Sequence, residues 1–312
     1  MPHRGTSAPY GIGVTQDLSS PAALAERLDE QGYLADEGVS TAAYLALTMG
    51  RPLFCEGDAG VGKTALAGAL AGVLDAPLIR LQCYEGLDAT QALYDWDFPR
   101  QLLHLRAAEA AGNADADRLE AEIYDRRFLI ARPLLQALES STAGKRSVLL
   151  VDEVDRADDE FEAFLLEVLS DFTITVPELG TIRADVPPVV VVTSNRTREV
   201  HDALKRRCLY HWLEHPGLER EVAIIRRRLP AATAALAEAV ARVARAARTE
   251  DLLKPPGVAE SLDWTEALLA LGATGLGEAD LDRACASLGA FLKYREDQER
   301  VAGQIAQWAA TG

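Results

Sequence analysis

The sequence predicts an α/β fold, a parallel sheet covered by helices on both faces and followed by an all-helical region. Three observations carry that expectation. Short, continuously apolar runs at Pro52-Leu-Phe-Cys-Glu56, Ser147 to Val151 and Val189 to Thr193 read as strands buried on both faces. Helical spacing of apolar residues fills the stretches between them. Beyond Pro216 only helical patterns occur, broken near Pro230, at Pro255-Pro256-Gly257 and at Gly272 to Gly277.

Taken in order, residues 1–19 are rich in Gly, Pro, Thr and Ser without periodicity and read as a flexible arm. Pro21 to Leu28 and Val39 to Met49 have helical patterns. The strand at Pro52 to Glu56 is broken at once by glycines, and Ala65 to Leu74 is an alanine-rich helix. Pro77 to Cys83 is a second strand. From Gln101 to Leu138 charged and apolar residues mix at helical spacing, with Pro133 as an interruption and Ala-Gly-Asn-Ala-Asp at 111–115 as a break, so this connection is expected to be all-helical. Phe172-Thr-Ile-Thr-Val176 alternates, Pro177 to Gly180 is turn chemistry, and Thr181 to Ala184 completes a hairpin. Val189 to Thr193 and Cys208 to Leu213 are the last strands. The expected division is an arm at 1–19, an αβα domain at 20–213 with a hairpin insertion at about 172–186, and a helical domain at 214–312.

Composition narrows the function. The 312 residues are 48% hydrophobic and 26% charged, the profile of a packed globular protein. A formal net charge of -16 disfavours nucleic acid and anionic membranes as partners, because both reward clustered Lys and Arg, and it favours protein partners. No apolar run reaches the roughly 18 to 20 residues of a membrane span, and Met1 to Ser20 lacks the apolar stretch of a secretory signal, so a cytoplasmic location is expected. Cys55, Cys83, Cys208 and Cys285 have neither disulfide nor zinc spacing. His211 and His215 sit four apart without the glutamate that a zinc protease helix requires, and their spacing reads as chance.

The chemistry concentrates in four motifs. Gly57-Asp58-Ala59-Gly60-Val61-Gly62-Lys63-Thr64 matches Gly-x4-Gly-Lys-Thr in full, between a strand and a helix that opens with Ala65. Backbone N–H groups of such a loop wrap phosphates at a helix N-terminus, the lysine reaches the β and γ phosphates, and the threonine hydroxyl holds Mg2+. The nucleotide expected there is ATP. The strand Val148 to Val151 delivers Asp152 and Glu153 to its C-terminal end, where ligands sit in open α/β sheets. Asp152 suits Mg2+, and Glu153 suits the base that polarises an attacking water. Asn195 ends the Val189 strand, and would emerge beside that pair if the two strands are neighbours, placed to position water or the γ phosphate; the alternative is a helix cap. Lys205-Arg206-Arg207 closes a short helix, from which Arg206 or Arg207 could reach the γ phosphate of an adjacent subunit, or could complement the helix dipole. Spacing alone does not choose between the two arginines. Arg226 to Arg228 reads as a solvated helix face, and Tyr94-Asp-Trp96-Asp-Phe98 either grips a protein or packs on its own domain.

Together Gly57 to Thr64, Val148 to Asp155, Asn195 and Ala203-Leu-Lys-Arg-Arg-Cys-Leu-Tyr210 resemble the MoxR family of AAA+ ATPases, P-loop NTPases with a helical lid. Leu81 to Gly86, Tyr94 to Arg100 and Ser261-Leu-Asp-Trp264 are similar to the branch of accessory ATPases for carbon monoxide dehydrogenase and other molybdenum hydroxylases. The resemblance implies a ring homo-oligomer, typically a hexamer, that couples ATP hydrolysis to remodelling or cofactor maturation of a client metalloenzyme, with a partner carrying a von Willebrand factor A domain. It implies that Asn195 is the first sensor and that Arg206 or Arg207 is the finger. The chain departs from the family near Ser261 to Trp264, where Trp264 stands in the region of the second-sensor arginine. Rival readings are a nucleotide-gated assembly module with negligible hydrolysis, a small P-loop kinase, and a DNA-linked motor.

Overall fold

The computed structural model describes residues 18–111, 116–142 and 145–310. Most of the arm expected at 1–19 and of the break expected at 111–115 lies outside the described residues. The described strands are β1 (Leu53–Gly57), β2 (Leu78–Gln82), β3 (Tyr94–Trp96), β4 (Leu129–Ala131), β5 (Val148–Asp152), β6 (Thr173–Val176), β7 (Gly180–Arg183), β8 (Val189–Ser194) and β9 (Leu209–Leu213). Five of them form one sheet in the order β2-β5-β8-β1-β9. The pairs β2–β5 and β5–β8 are parallel, as the sequence predicts. Every residue of β1, β5 and β8 is buried. Central parallel strands need apolar residues on both faces, which is why Val-Leu-Leu-Val and Val-Val-Val-Val carry no alternation. The edge strand β2 is more open, and there Leu78, Arg80 and Gln82 share one face by the two-residue repeat.

The connection expected to be all-helical is not. The helices Phe98–Ala110 and Ala116–Ile123 are there, but β3 and β4 pair antiparallel on either side of them, Tyr94 opposite Ala131 and Trp96 opposite Leu129. Strands of three residues are too short to register an alternation, so periodicity cannot reveal them. Asp97 caps the first of these helices by accepting from the Arg100 N–H, with Pro99 in its opening turn. Phe128 is buried just before β4, with the guanidiniums of Arg100 and Arg127 over its ring. A second antiparallel pair, β6 and β7, is joined by a tight turn at Pro177 to Leu179.

The chain divides into two compact units, each assembled from separated stretches. Among the described residues, one comprises those up to Ser20, those of Thr41–Cys55 and those of Leu70–His211; the other comprises those of Pro21–Ser40, of Glu56–Ala69 and from Trp212 onward. The first unit's core includes Phe54, Leu81, Val151, Phe161, Leu165 and Val192. The second unit's core is helical and is built on Leu236, Val240, Val243, Trp264, Leu268 and Phe291. Its long helix Ala234–Ala247 starts at Thr233, whose side chain accepts from the Leu236 N–H, and buries one side through Ala, Leu and Val at helical spacing. The phosphate-loop residues therefore belong to the same unit as the C-terminal helices.

Candidate functional site

In the second unit, β1 ends at Gly57 and the helix Lys63–Val73 begins six residues later. Only glycine fits at Gly57, because a Cβ there would lie 2.3 Å from the Leu213 carbonyl oxygen. Gly60, at φ 77°, has a second constraint, since a Cβ would come within 2.7 Å of a Glu260 carboxylate oxygen and 3.0 Å of the Gly257 Cα. The loop curls over Lys63, whose Nζ donates to the Gly57 and Asp58 carbonyls, each at 2.7 Å. Lys63 is buried, whereas Asp58, Ala59, Thr64 and Ala65 are exposed; Val61 is buried and Gly62 partly so. The loop thus holds a cation beneath it and exposes a hydroxyl at the helix start, an arrangement that fits a polyphosphate with a hard divalent cation.

The helix Val258–Ala270 is docked on this loop by its N-terminus. The Gly60 carbonyl accepts from the N–H groups of Val258, at 3.0 Å, and Ala259, at 3.3 Å, two of the donors that a helix leaves without intrahelical partners. Glu260 accepts from the Gly257 N–H at 2.9 Å and so fixes the approach. Behind the contact, Arg248 forms a fork on Glu221 with two bonds of 2.7 Å, and donates from Nε to the Pro256 carbonyl. Ser261 adds a 2.8 Å bond to Glu221. His215 lies with Nε2 3.4 Å from Asp58, and burial, then the positive charge of Arg248, push its pKa below the usual 6.5. Trp264 belongs to the helical core: it is fully buried, stacks on Phe291 at 4.5 Å between ring centroids, and donates to Ser287.

In the first unit, the parallel register sets Gln82 of β2 against Asp152 of β5 and Val151 against Val192 of β8. The neighbouring strands therefore supply partners for both carboxylates. Thr193 donates to one Asp152 oxygen at 2.6 Å and accepts from the Glu153 N–H at 2.9 Å. Arg80 donates to the other Asp152 oxygen at 2.5 Å. Glu153 sits in the left-handed region at φ 55°, ψ 52°, a conformation that costs a non-glycine residue about 1 to 3 kcal/mol. Its carboxylate accepts from Asn195 Nδ2 at 3.3 Å, Gln82 Nε2 at 3.1 Å and Arg156 at 3.2 Å. Buried Asp155 pins the exit of β8 by accepting from the N–H groups of Asn195 and Thr197. Cys83 adjoins the pair, and burial, reinforced by the charges of Asp152 and Asp155, pushes its thiol up to about 12, so it stays protonated near neutrality.

β5 and β8 are neighbours, so Asn195 does reach Glu153. Arg80, Arg156 and Thr193, to which the sequence assigned no role, complete the carboxylate cluster together with Gln82, which lies in the Leu81 to Gly86 stretch and was likewise given none. Gln82 and Arg80 could have been found only from the strand order, because it is the adjacency of β2 and β5 that aims them at Asp152 and Glu153. Arg206 and Arg207 end the helix Asp202–Arg207 with exposed side chains, Arg206 only loosely paired with Asp202 at 3.8 Å. The carbonyls of Arg206, Arg207 and Cys208 accept instead from Arg51, which closes that helix end. Arg227 is held by the Asp29 carbonyl. Tyr94 and Trp96 pack on each other and Trp96 on Tyr124, while Phe98 stays exposed.

No described helix is long and apolar enough to cross a membrane. Among solved structures, the chain is similar to a RuvB variant from Thermotoga maritima, at 15% identity over 88% of this chain and 72% of that one, with a TM-score of 0.48. It is likewise similar to the Thermotoga maritima RuvB Holliday junction branch migration motor, at 15% identity, 88% and 73% coverage and a TM-score of 0.45. No curated protein matches it. The family model for the AAA domain of the dynein-related subfamily matches residues 52–208, half of the chain. That stretch runs from β1 through the carboxylate pair and Asn195 to the helix of Arg206 and Arg207, and the chain belongs to this AAA family.

Proposed function

We propose that this chain is a MoxR-type AAA+ ATPase, with a nucleotide-binding domain at 20–213 and a helical lid at 214–312. It works as a ring homo-oligomer that remodels or matures a client metalloenzyme, with a molybdenum hydroxylase as the client class and a von Willebrand factor A protein as partner. Residues Gly57 to Ala65 bind ATP through backbone N–H groups and Lys63, and the Thr64 hydroxyl and the Asp152 carboxylate hold Mg2+. When bound, Mg2+ neutralises charge on the transferred phosphoryl group. Glu153 polarises the attacking water, and Asn195 keeps its carboxylate aimed.

The observation that carries the hydrolytic part is the Glu153 carboxylate, which Asn195, just past the end of β8, aims through its Nδ2 and which in this structure also accepts from Gln82 of β2. A carboxylate with no chemical task has little reason to be presented this way on a strained backbone. The shared-site part draws support from Arg51, which relieves Arg206 and Arg207 of closing their own helix and leaves their guanidiniums available to a neighbouring subunit.

The test is ATPase activity across protein concentration, with sizing in ATP. Activity is expected to rise with assembly, and one of Arg206→Ala or Arg207→Ala is expected to lose about 10³-fold in turnover while still binding ATP. A monomer at full rate, indifferent to both substitutions, contradicts the shared site.

A further inference from the structure

The Asp152 side chain is 3% exposed, and a carboxylate so buried calls for a compensating cation. In this structure Arg80 supplies it. The guanidinium comes from the edge strand β2 on a side chain 53% exposed, so it can leave without unpacking the core. One and the same NH2 group donates to Asp152 and to the Gln82 Oε1, each at 2.5 Å, and the Gln82 amide in turn donates to Glu153. Arg80, Gln82 and the two carboxylates thus form a single chain of contacts along one edge of the sheet.

We propose that Arg80 is a positioning residue that stands in for the divalent cation at Asp152, and that cation binding displaces it. The proposal rests on the reading of Asp152 as a Mg2+ ligand. A divalent cation approaching Asp152 meets a like charge on the oxygen it needs, so the two compete. Expelling the guanidinium also removes the donor that orients the Gln82 carboxamide, and so loosens the Gln82 hold on Glu153. The arrival of the cation and the release of the base are coupled through one side chain. By reciprocity, whatever holds Glu153 against Gln82 weakens cation binding.

The test is Mn2+ binding, followed by electron paramagnetic resonance, to the full chain loaded with ADP. Arg80→Met, which keeps the apolar stem without the charge, is expected to bind Mn2+ about tenfold more tightly than the wild type, a typical size for coupling between two sites. Arg80→Gln, which keeps a neutral donor, is expected to tighten binding in the same direction and serves if the methionine variant does not fold. Gln82→Met keeps Arg80 but takes away its second acceptor, and an intermediate tightening is expected. Unchanged or weaker Mn2+ binding in the folded Arg80 variants overturns the proposal, because a strut or a metal-assisting group would give that sign. A wild type that binds ADP but takes up no Mn2+ overturns both this role and the reading of Asp152 beneath it.

Discussion

Glu153→Gln is expected to leave ATP bound and to lower turnover by about 10² to 10⁴-fold, the range contributed by a positioned general base. The substitution keeps the length and shape of the side chain, and its backbone support from Thr193 does not change. What it removes is an acceptor. Asn195 and Gln82 both donate to Glu153, one to each oxygen, and a glutamine in its place must turn an NH2 group towards one of two donors. The variant therefore loses both basicity and orientation. Single-turnover hydrolysis of ATP, with retention of ATP by the protein measured on the same sample, separates the two effects. Wild-type turnover in Glu153→Gln would take the base away from Glu153 and leave it a structural group.

The largest effect on stability is expected at Arg248. Its side chain is 9% exposed and that of Glu221 is 1%, so Arg248→Ala leaves a buried carboxylate without its ion partner. Removing one member of such a pair costs about 3 to 5 kcal/mol. Denaturant unfolding, followed by the fluorescence of buried Trp264, reads that loss in the second unit. The double variant Glu221→Leu with Arg248→Met is expected to recover most of it, because apolar replacement of the whole pair leaves no orphaned charge. Arg248 also holds the Pro256 carbonyl, next to the Gly257 that closes on Gly60. Weaker ATP binding should therefore accompany the loss of stability in the single variant. A single variant as stable as the wild type would mean that Glu221 finds another partner.

The parallel sheet was legible in the sequence because its central strands are short unbroken apolar runs, and because the glycines of Gly57 to Gly62 end one of them abruptly. The Gly57 to Thr64 pattern and the Asp152-Glu153 pair were legible as patterns too, because each is carried by residues adjacent in the chain. What depends on strand order was not. Gln82 and Arg80 lie about seventy residues from the carboxylates they contact, and only the placement of β2 beside β5 brings them there. The ribbon of β3 and β4 escaped because three residues per strand make no period. Trp264, which stands where the resemblance implies a second-sensor arginine, is held in the helical core by stacking on Phe291, a packing that the sequence around it does not announce. Gly257 illustrates the opposite limit. In the sequence it reads as a break after two prolines, whereas in the structure its missing Cβ is what lets a helix N-terminus rest on the phosphate loop.

Whether the chain hydrolyses ATP with a divalent cation is decided by phosphate release from ATP by the assembled wild-type chain, compared in Mg2+ and in excess EDTA. Steady release in Mg2+, none in EDTA, and none from Lys63→Ala in either is expected. No release at any protein concentration in Mg2+, or equal release in EDTA, would contradict cation-dependent hydrolysis.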